Sequence, residues 1–312
     1  MKQKTLVLIA ALFVGFVCVA QAQAQAARTF VAVAGSDAND CTFSTPCRTF
    51  AGAVPNTAAG GEITALDSGA YGVVTIDKAL TLQAAPGAHV ALGDGTANSA
   101  VTINVSASSV VVLRNLYISR MGPVLRGIDI NSLGVVHIEG CVITGFASGS
   151  GYGGYGIRAI GACSGSGACV NLLIKDTIMR ENDYGIWLSA ATAVVDRSWI
   201  EHNTIGLQGN ISGGALIRDS VVAGNSDTGL LAIPGNIRVE NCSVTRNGTG
   251  IYAGDLVYAG VVYVSNTMIA GNVRGLKTQN PPNSEGEIIS FGNNRLAANT
   301  TNGAFTSTLP QQ

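Results

Sequence analysis

This chain is short of charge: Asp, Glu, Lys and Arg make up only 12% of it, about half the usual share. With 18 basic and 19 acidic residues the net charge is −1, which excludes the strongly basic surface of a nucleic-acid binder. Aromatic residues are scarce at 6%, histidines number three, and no spacing of His or Cys resembles a zinc site. Beyond the first residues no apolar run reaches the roughly 20 residues of a helical membrane span. Glycine is abundant, with 40 residues at about twice the usual share, among many Val, Ile, Asn, Ser and Thr. That mixture describes short strands joined by tight turns, an all-β chain.

Residues 1–26 read as a secretory signal, with Lys2 and Lys4 ahead of the apolar "LVLIAALFVGFVCVA" and the small-residue run "AQAQAQA". Cleavage is expected after Ala26, giving a secreted or periplasmic product of net charge about −3 with no membrane span. An uncleaved anchor is the competing reading, against which the short apolar core counts. Phe16 and Val17 are too bulky for lipidation at Cys18. Among the other cysteines, Cys41 with Cys47 and Cys163 with Cys169 each flank a loop-like segment, and each pair can close a small disulfide in an oxidising compartment.

One block recurs along the chain: "IKDTIMRENDYGI", "VDRSWIEHNTIGL", "IRDSVVAGNSDTGL", "VENCSVTRNGTGI" and "VSNTMIAGNVRGL", with a weaker copy around Asn299. The shared Asn falls at Asn182, Asn203, Asn225, Asn247 and Asn272. A β-rich repeat of about 22 residues implies a solenoid. Within each block two apolar positions five residues apart cannot share a face of one flat strand, because strand side chains alternate. A bend must therefore lie between them, at Asp176, Arg197, Asp219, Asn241 and Asn266. A small inward residue follows (Thr177, Ser198, Ser220, Cys242, Thr267), and the Gly of each block marks a second turn. Three strands and three turns per coil make a parallel β-helix, with the Asn column as an internal ladder. In this register Cys141 and Cys242 lie four coils apart, roughly 19 Å at the strand spacing, too far for a disulfide, so both are expected as buried free thiols.

Other columns point outward. Arg114, Glu139, Lys175, Asp196, Arg218 and Glu240 alternate in sign, which suits a register-enforcing ladder. Asp129, Arg158, Trp187, Gln208, Leu231, Tyr252 and Lys277 form a second column, in which rings among charged groups suit a glycan. The bland alternative is a solvated sheet. Arg180 and Asp183 flank the Asn182 turn and join Asp129, Arg158, Trp187 and Tyr252 as candidate substrate contacts. For proton transfer or a carboxylate pair the candidates are Glu181, Glu201 and His202. A third column, Tyr117, Val142, Ile178, Trp199, Val221 and Met268, is an apolar stripe on a wet face. It suits self-association, or a cover supplied by the Gly/Tyr segment 145–156.

The repeat resembles the right-handed parallel β-helix proteins of the pectin-lyase-like superfamily. The opening "SDANDCTFSTPCRTFAGAV" with "GGEITALDSGAYG" is similar to the N-terminal part of secreted bacterial β-helix repeat proteins. The resemblance covers about residues 28–300 and implies the fold more than an activity, because its members include lyases, hydrolases, epimerases and non-catalytic surface proteins. The Asp-Pro-His run of alginate epimerases is missing after "YGI", where Trp187 and Leu188 stand. Gly-His-Gly, Arg-Ile-Lys and a calcium-binding carboxylate cluster are missing too. The expected layout is a signal peptide at 1–26, a strand and capping segment at 27–62, a single β-helix at 63–308 and a tail at 309–312. A short capping helix should start near Thr45 and Pro46. The expected function is binding of a polysaccharide or other glycan, with lyase, hydrolase or epimerase chemistry left open, against a non-catalytic structural or adhesive role. No cofactor or metal is expected, and a calcium requirement stays open.

Overall fold

The structure is a computed structural model that describes residues 25–95, 97–149, 153–161, 170–210, 213–279 and 285–310. The expected signal peptide, up to residue 24, and the expected Cys163–Cys169 bridge lie outside the described residues. Three parallel sheets wind around one core. Sheet A has 12 strands, from Ala26–Val31 to Ser307–Thr308; sheet B has 10 short ones, from Gly69–Ala70 to Arg295–Ala297. Sheet C has nine, from Val74–Ile76 to Arg274–Thr278. A typical coil runs through Ala191–Asp196 in sheet A, Trp199–Glu201 in sheet B and Ile205–Gly209 in sheet C. Among the described residues no helix is long and apolar enough to cross a membrane.

The bends lie where the repeat requires them. Asp176, Arg197, Asp219, Asn241 and Asn266 all take a left-handed backbone, with φ between 44° and 52°, and turn the chain from sheet A into sheet B. The bend lets apolar residues on both sides of it point inward: Val195 and Ile200 are each fully buried, as are Ile217 and Val222. Burying each such side chain contributes about 2 kcal/mol, and the stacked columns form one continuous core.

Two ladders satisfy the polar groups inside the tube. Asn203 Nδ2 donates to Asn225 Oδ1 at 3.1 Å and to the Met179 carbonyl at 3.0 Å, while its own Oδ1 accepts from the backbone N–H of Asn182. The pattern continues through Asn225, Asn247 and Asn272 to Asn299. At the A–B bend a second ladder runs on hydroxyls: the N–H of Thr177 donates to Ser198 Oγ, and that of Ser198 to Ser220 Oγ. Cys242 takes the next place in this column, and Cys141 an earlier one. Both thiols are free and buried, and burial pushes them up to about 11 and about 12 respectively. On the outer face of sheet A the alternating charges stand in register, with ion pairs from Arg114 to Glu139 at 2.9 Å and from Arg218 to Asp196 at 3.0 Å.

The N-terminal end is closed by a compact cap. Cys41 and Cys47 form the expected disulfide, and their segment hydrogen-bonds the free edge of strand Ala26–Val31. The capping helix does not begin at Thr45. It is Phe50–Ala53, N-capped by Thr49, whose hydroxyl accepts from the Gly52 N–H; a 3-10 turn over Val54–Asn56 follows. Thr45 instead donates to Asp40, which leaves Thr49 as the residue free to cap. Phe50 is fully buried against Tyr71, with ring centroids 5.6 Å apart.

Candidate functional site: the outer face of sheet C

The column from Asp129 to Lys277 is paired strand by strand along sheet C. Asp129 is only 2% exposed. Its carboxylate accepts from Arg158 Nε at 2.6 Å and Nη2 at 2.9 Å, from Arg126 Nη1 at 3.0 Å, and from Asn131 and Ser99 at 3.3 Å. Burial works to raise its pKa, but the Arg158 hydrogen bond and charge, with Arg126 behind them, outweigh it and hold the carboxyl below its ordinary value. Asp129 is thus an anion clamped by two guanidiniums, and its lowered pKa makes it a weak base toward a substrate proton.

Beside this cluster stand three rings. Tyr155 and Tyr184, neighbours in register on adjacent coils, stack with centroids 5.1 Å apart and planes 14° from parallel. Trp187 meets Tyr155 edge-on at 5.8 Å, and the Arg158 guanidinium lies 5.9 Å from the Tyr155 centroid. Further along, Lys277 Nζ sits 3.9 Å over the Tyr252 ring. Gln208 and Leu231 separate this second pair from Trp187.

The column read from the sequence holds Asp129, Arg158, Trp187 and Tyr252 and leaves out Arg126, Tyr155 and Tyr184, which lie three residues earlier on the same strands. Strict alternation puts residues three apart on opposite faces, and the intervening glycine defeats it. At Gly185 a Cβ would lie 2.5 Å from the Gly206 carbonyl oxygen, so only glycine allows the backbone this close to the next coil. The tyrosine preceding that glycine in both "YGI" copies is the signal that could have found them.

The remaining candidates occupy the B–C corner, not the sheet C face. Glu181 and His202 share one turn column with Gly145, Gly224, Arg246, Gly271 and Ala298, all left-handed, with φ of 58° at Glu181 and 54° at His202. Both side chains are exposed, and Glu181 accepts a hydrogen bond from Thr144 at 3.1 Å. His202 lies against Gly224 of the next coil. Glu201 pairs in register with Arg180, one column further into sheet B, so the two glutamates do not share a column. Asp183 is 2% exposed and accepts from the backbone N–H groups of Ser148 and Gly154, which ties down the Gly/Tyr excursion. The described part of that excursion is thereby fixed at the B–C corner through Asn182 and Asp183. The apolar stripe on sheet B stands open, with Trp199 46% and Met268 41% exposed. Among the described residues no cluster of three His, Cys, Asp or Glu could hold a metal ion.

The crystal structure of pectate lyase Pel9A is similar to this chain with a TM-score of 0.55 at 16% identity, over 91% of this chain and 78% of that one. The chain has the pectin-lyase-like parallel β-helix fold. A rhamnogalacturonan lyase aligns with a TM-score of 0.47 at 12% identity, over 76% of this chain and 82% of its own. No protein-family model and no curated protein sequence matches. At 16% identity the likeness to Pel9A establishes the fold alone, and the function rests on the side chains themselves.

Proposed function

We propose that this protein is exported and binds an anionic polysaccharide along the outer face of sheet C. The observation that carries the reading is the ring cluster of Tyr155, Tyr184 and Trp187 beside Arg158 and Arg126. Sugar rings present an apolar face to aromatic side chains, and these rings repeat at the coil spacing of about 4.8 Å, so a chain can lie across several coils. Charge selects the anion. Arg126 and Arg158 share the single buried carboxylate of Asp129, and Lys277 and the exposed Arg274 stand further along the same sheet. Polysaccharide lyases among the structural neighbours and the disulfide at the N-terminal cap support extracellular glycan binding.

Binding is favoured over turnover. The carboxylate on the face is clamped, while Glu181 and His202 are left-handed turn residues at the B–C corner and Glu201 ends a sheet B strand in register with Arg180. Titration calorimetry with hexagalacturonate, paired with an assay for cleaved product, tests the reading. Wild-type protein is expected to bind without turnover, and Arg158→Ala to weaken binding tenfold or more. Turnover that is lost in Glu181→Gln or His202→Ala would replace the binding role with an enzymatic one. A lack of any binding to uronate oligomers would remove the proposal.

A further inference from the structure

Sheet A has its own recess, unrelated to the sheet C column. Its central outward column runs through Val194, Leu216, Arg238 and Tyr263, in register on successive coils. Two hollows, of about 620 and 670 Å³, open over this column and share Leu216 and Arg238 in their walls. Each falls in the size range of small-molecule sites, about 300 to 1,000 Å³. The first exists because Ser265 is small where its neighbours are large: it faces Glu240 on the coil before, and Tyr263 and Phe291 rise around it.

The chemistry of the recess differs from that of sheet C. Tyr263 and Phe291 stack across adjacent coils with centroids 6.4 Å apart, and the Arg238 guanidinium lies 5.8 Å from the Tyr263 centroid. Arg238 and Glu240 are both exposed, and among the described residues neither has an ion-pair partner. The recess therefore offers an aromatic platform, one free guanidinium with donors only, and one free carboxylate with acceptors only. Paired donors and acceptors beside a ring match the vicinal hydroxyls and apolar face of a sugar. The carboxylate disfavours a uronate, and the two charges together leave the recess with no net charge.

We propose that sheet A carries a second saccharide site, which takes a neutral glycan through Tyr263, Phe291, Arg238 and Glu240. The two sites would then join an acidic and a neutral polysaccharide on two different walls of one solenoid. The experiment is titration of the full-length protein with neutral hexaoses (cello-, xylo-, manno- and galacto-oligomers) and, separately, with hexagalacturonate. At least one neutral hexaose is expected to bind, and Tyr263→Ala and Glu240→Gln are each expected to weaken it tenfold or more while hexagalacturonate binding stays at the wild-type level. Glu240→Gln keeps shape and volume, so a folding defect cannot account for its loss. Failure of every neutral hexaose to bind overturns this site, as does neutral binding that survives both substitutions or vanishes in Trp187→Ala. None of these outcomes touches the sheet C proposal, which stands or falls on hexagalacturonate.

Discussion

The two corners that flank sheet C obey different rules. From Glu181 onward the B–C corner turns the same way in successive coils, with one left-handed residue, then the ladder Asn, then a short link: Glu181 to Asp183, His202 to Thr204, Arg246 to Gly248; before the ladder begins it takes longer paths, such as 120–125. At the C–A corner the chain crosses in two residues at Ser189 and Ala190, yet takes 254–260 and 279–286 in later coils. Most of the drift in the repeat length comes from there. The difference follows from burial. An Asn whose amide must meet an amide above and below fixes the length of its turn, because a slipped coil would leave buried donors and acceptors unpaired. Among the described residues no such side-chain ladder runs inside the tube at the C–A corner. One corner sets the register and the other is free to build the walls of a recess, as Ala259 does beside sheet A.

Substitutions at the two corners and on sheet C should differ in cost. The largest effect is expected for Asn225→Ala, which strips partners from Asn203 and Asn247 at once; about 3 kcal/mol of stability should go, read from urea unfolding. Next comes Asp129. Its folded pKa lies below the unfolded value, so its stabilisation is complete above the unfolded pKa near 4 and is lost as pH falls through the folded value. Asp129→Asn should therefore cost about 2 kcal/mol at pH 7, and the deficit should shrink toward pH 2 in an acid titration of the melting temperature. Cys242→Ser should place a hydroxyl where Ser220 lacks one above it, extend the A–B hydroxyl ladder and raise stability by about 0.5 to 1 kcal/mol. His202→Gly should stabilise by a similar or smaller amount, because glycine takes φ of 54° without strain. Replacing 254–260 by a two-residue link should change stability least, by under about 1 kcal/mol, and a loss of several would mean that the C–A corner has a register role after all.

The core of this fold is legible in the sequence because a solenoid repeats its constraints. Asn182 through Asn299, the bends at Asp176 through Asn266 and the buried thiols of Cys141 and Cys242 each occupy a position that several coils specify together. The cap is legible only in outline. Thr45 and Thr49 both precede helix-compatible residues, and the choice between them was made by Asp40 and Asp37, which hold them from outside the helix. The candidate site is split the same way. Asp129, Arg158 and Trp187 emerge from one column, whereas Tyr155 and Tyr184 were hidden by the glycine that breaks alternation. Glu181 and His202 looked reactive because their residue types are, yet their column belongs to a turn that glycine fills as well. The recess on sheet A had no sequence signature, since it arises from a small Ser265 among neighbours that only the coil stacking brings together.

The central claim is that recognition belongs to the sheet C face while the ladder corner only maintains the register. Its most direct test is hexagalacturonate titration of Trp187→Ala, with the melting temperature recorded on the same sample. Affinity reduced tenfold or more at an unchanged melting temperature is expected. Wild-type affinity in that variant would contradict the claim and place the ligand elsewhere on the solenoid.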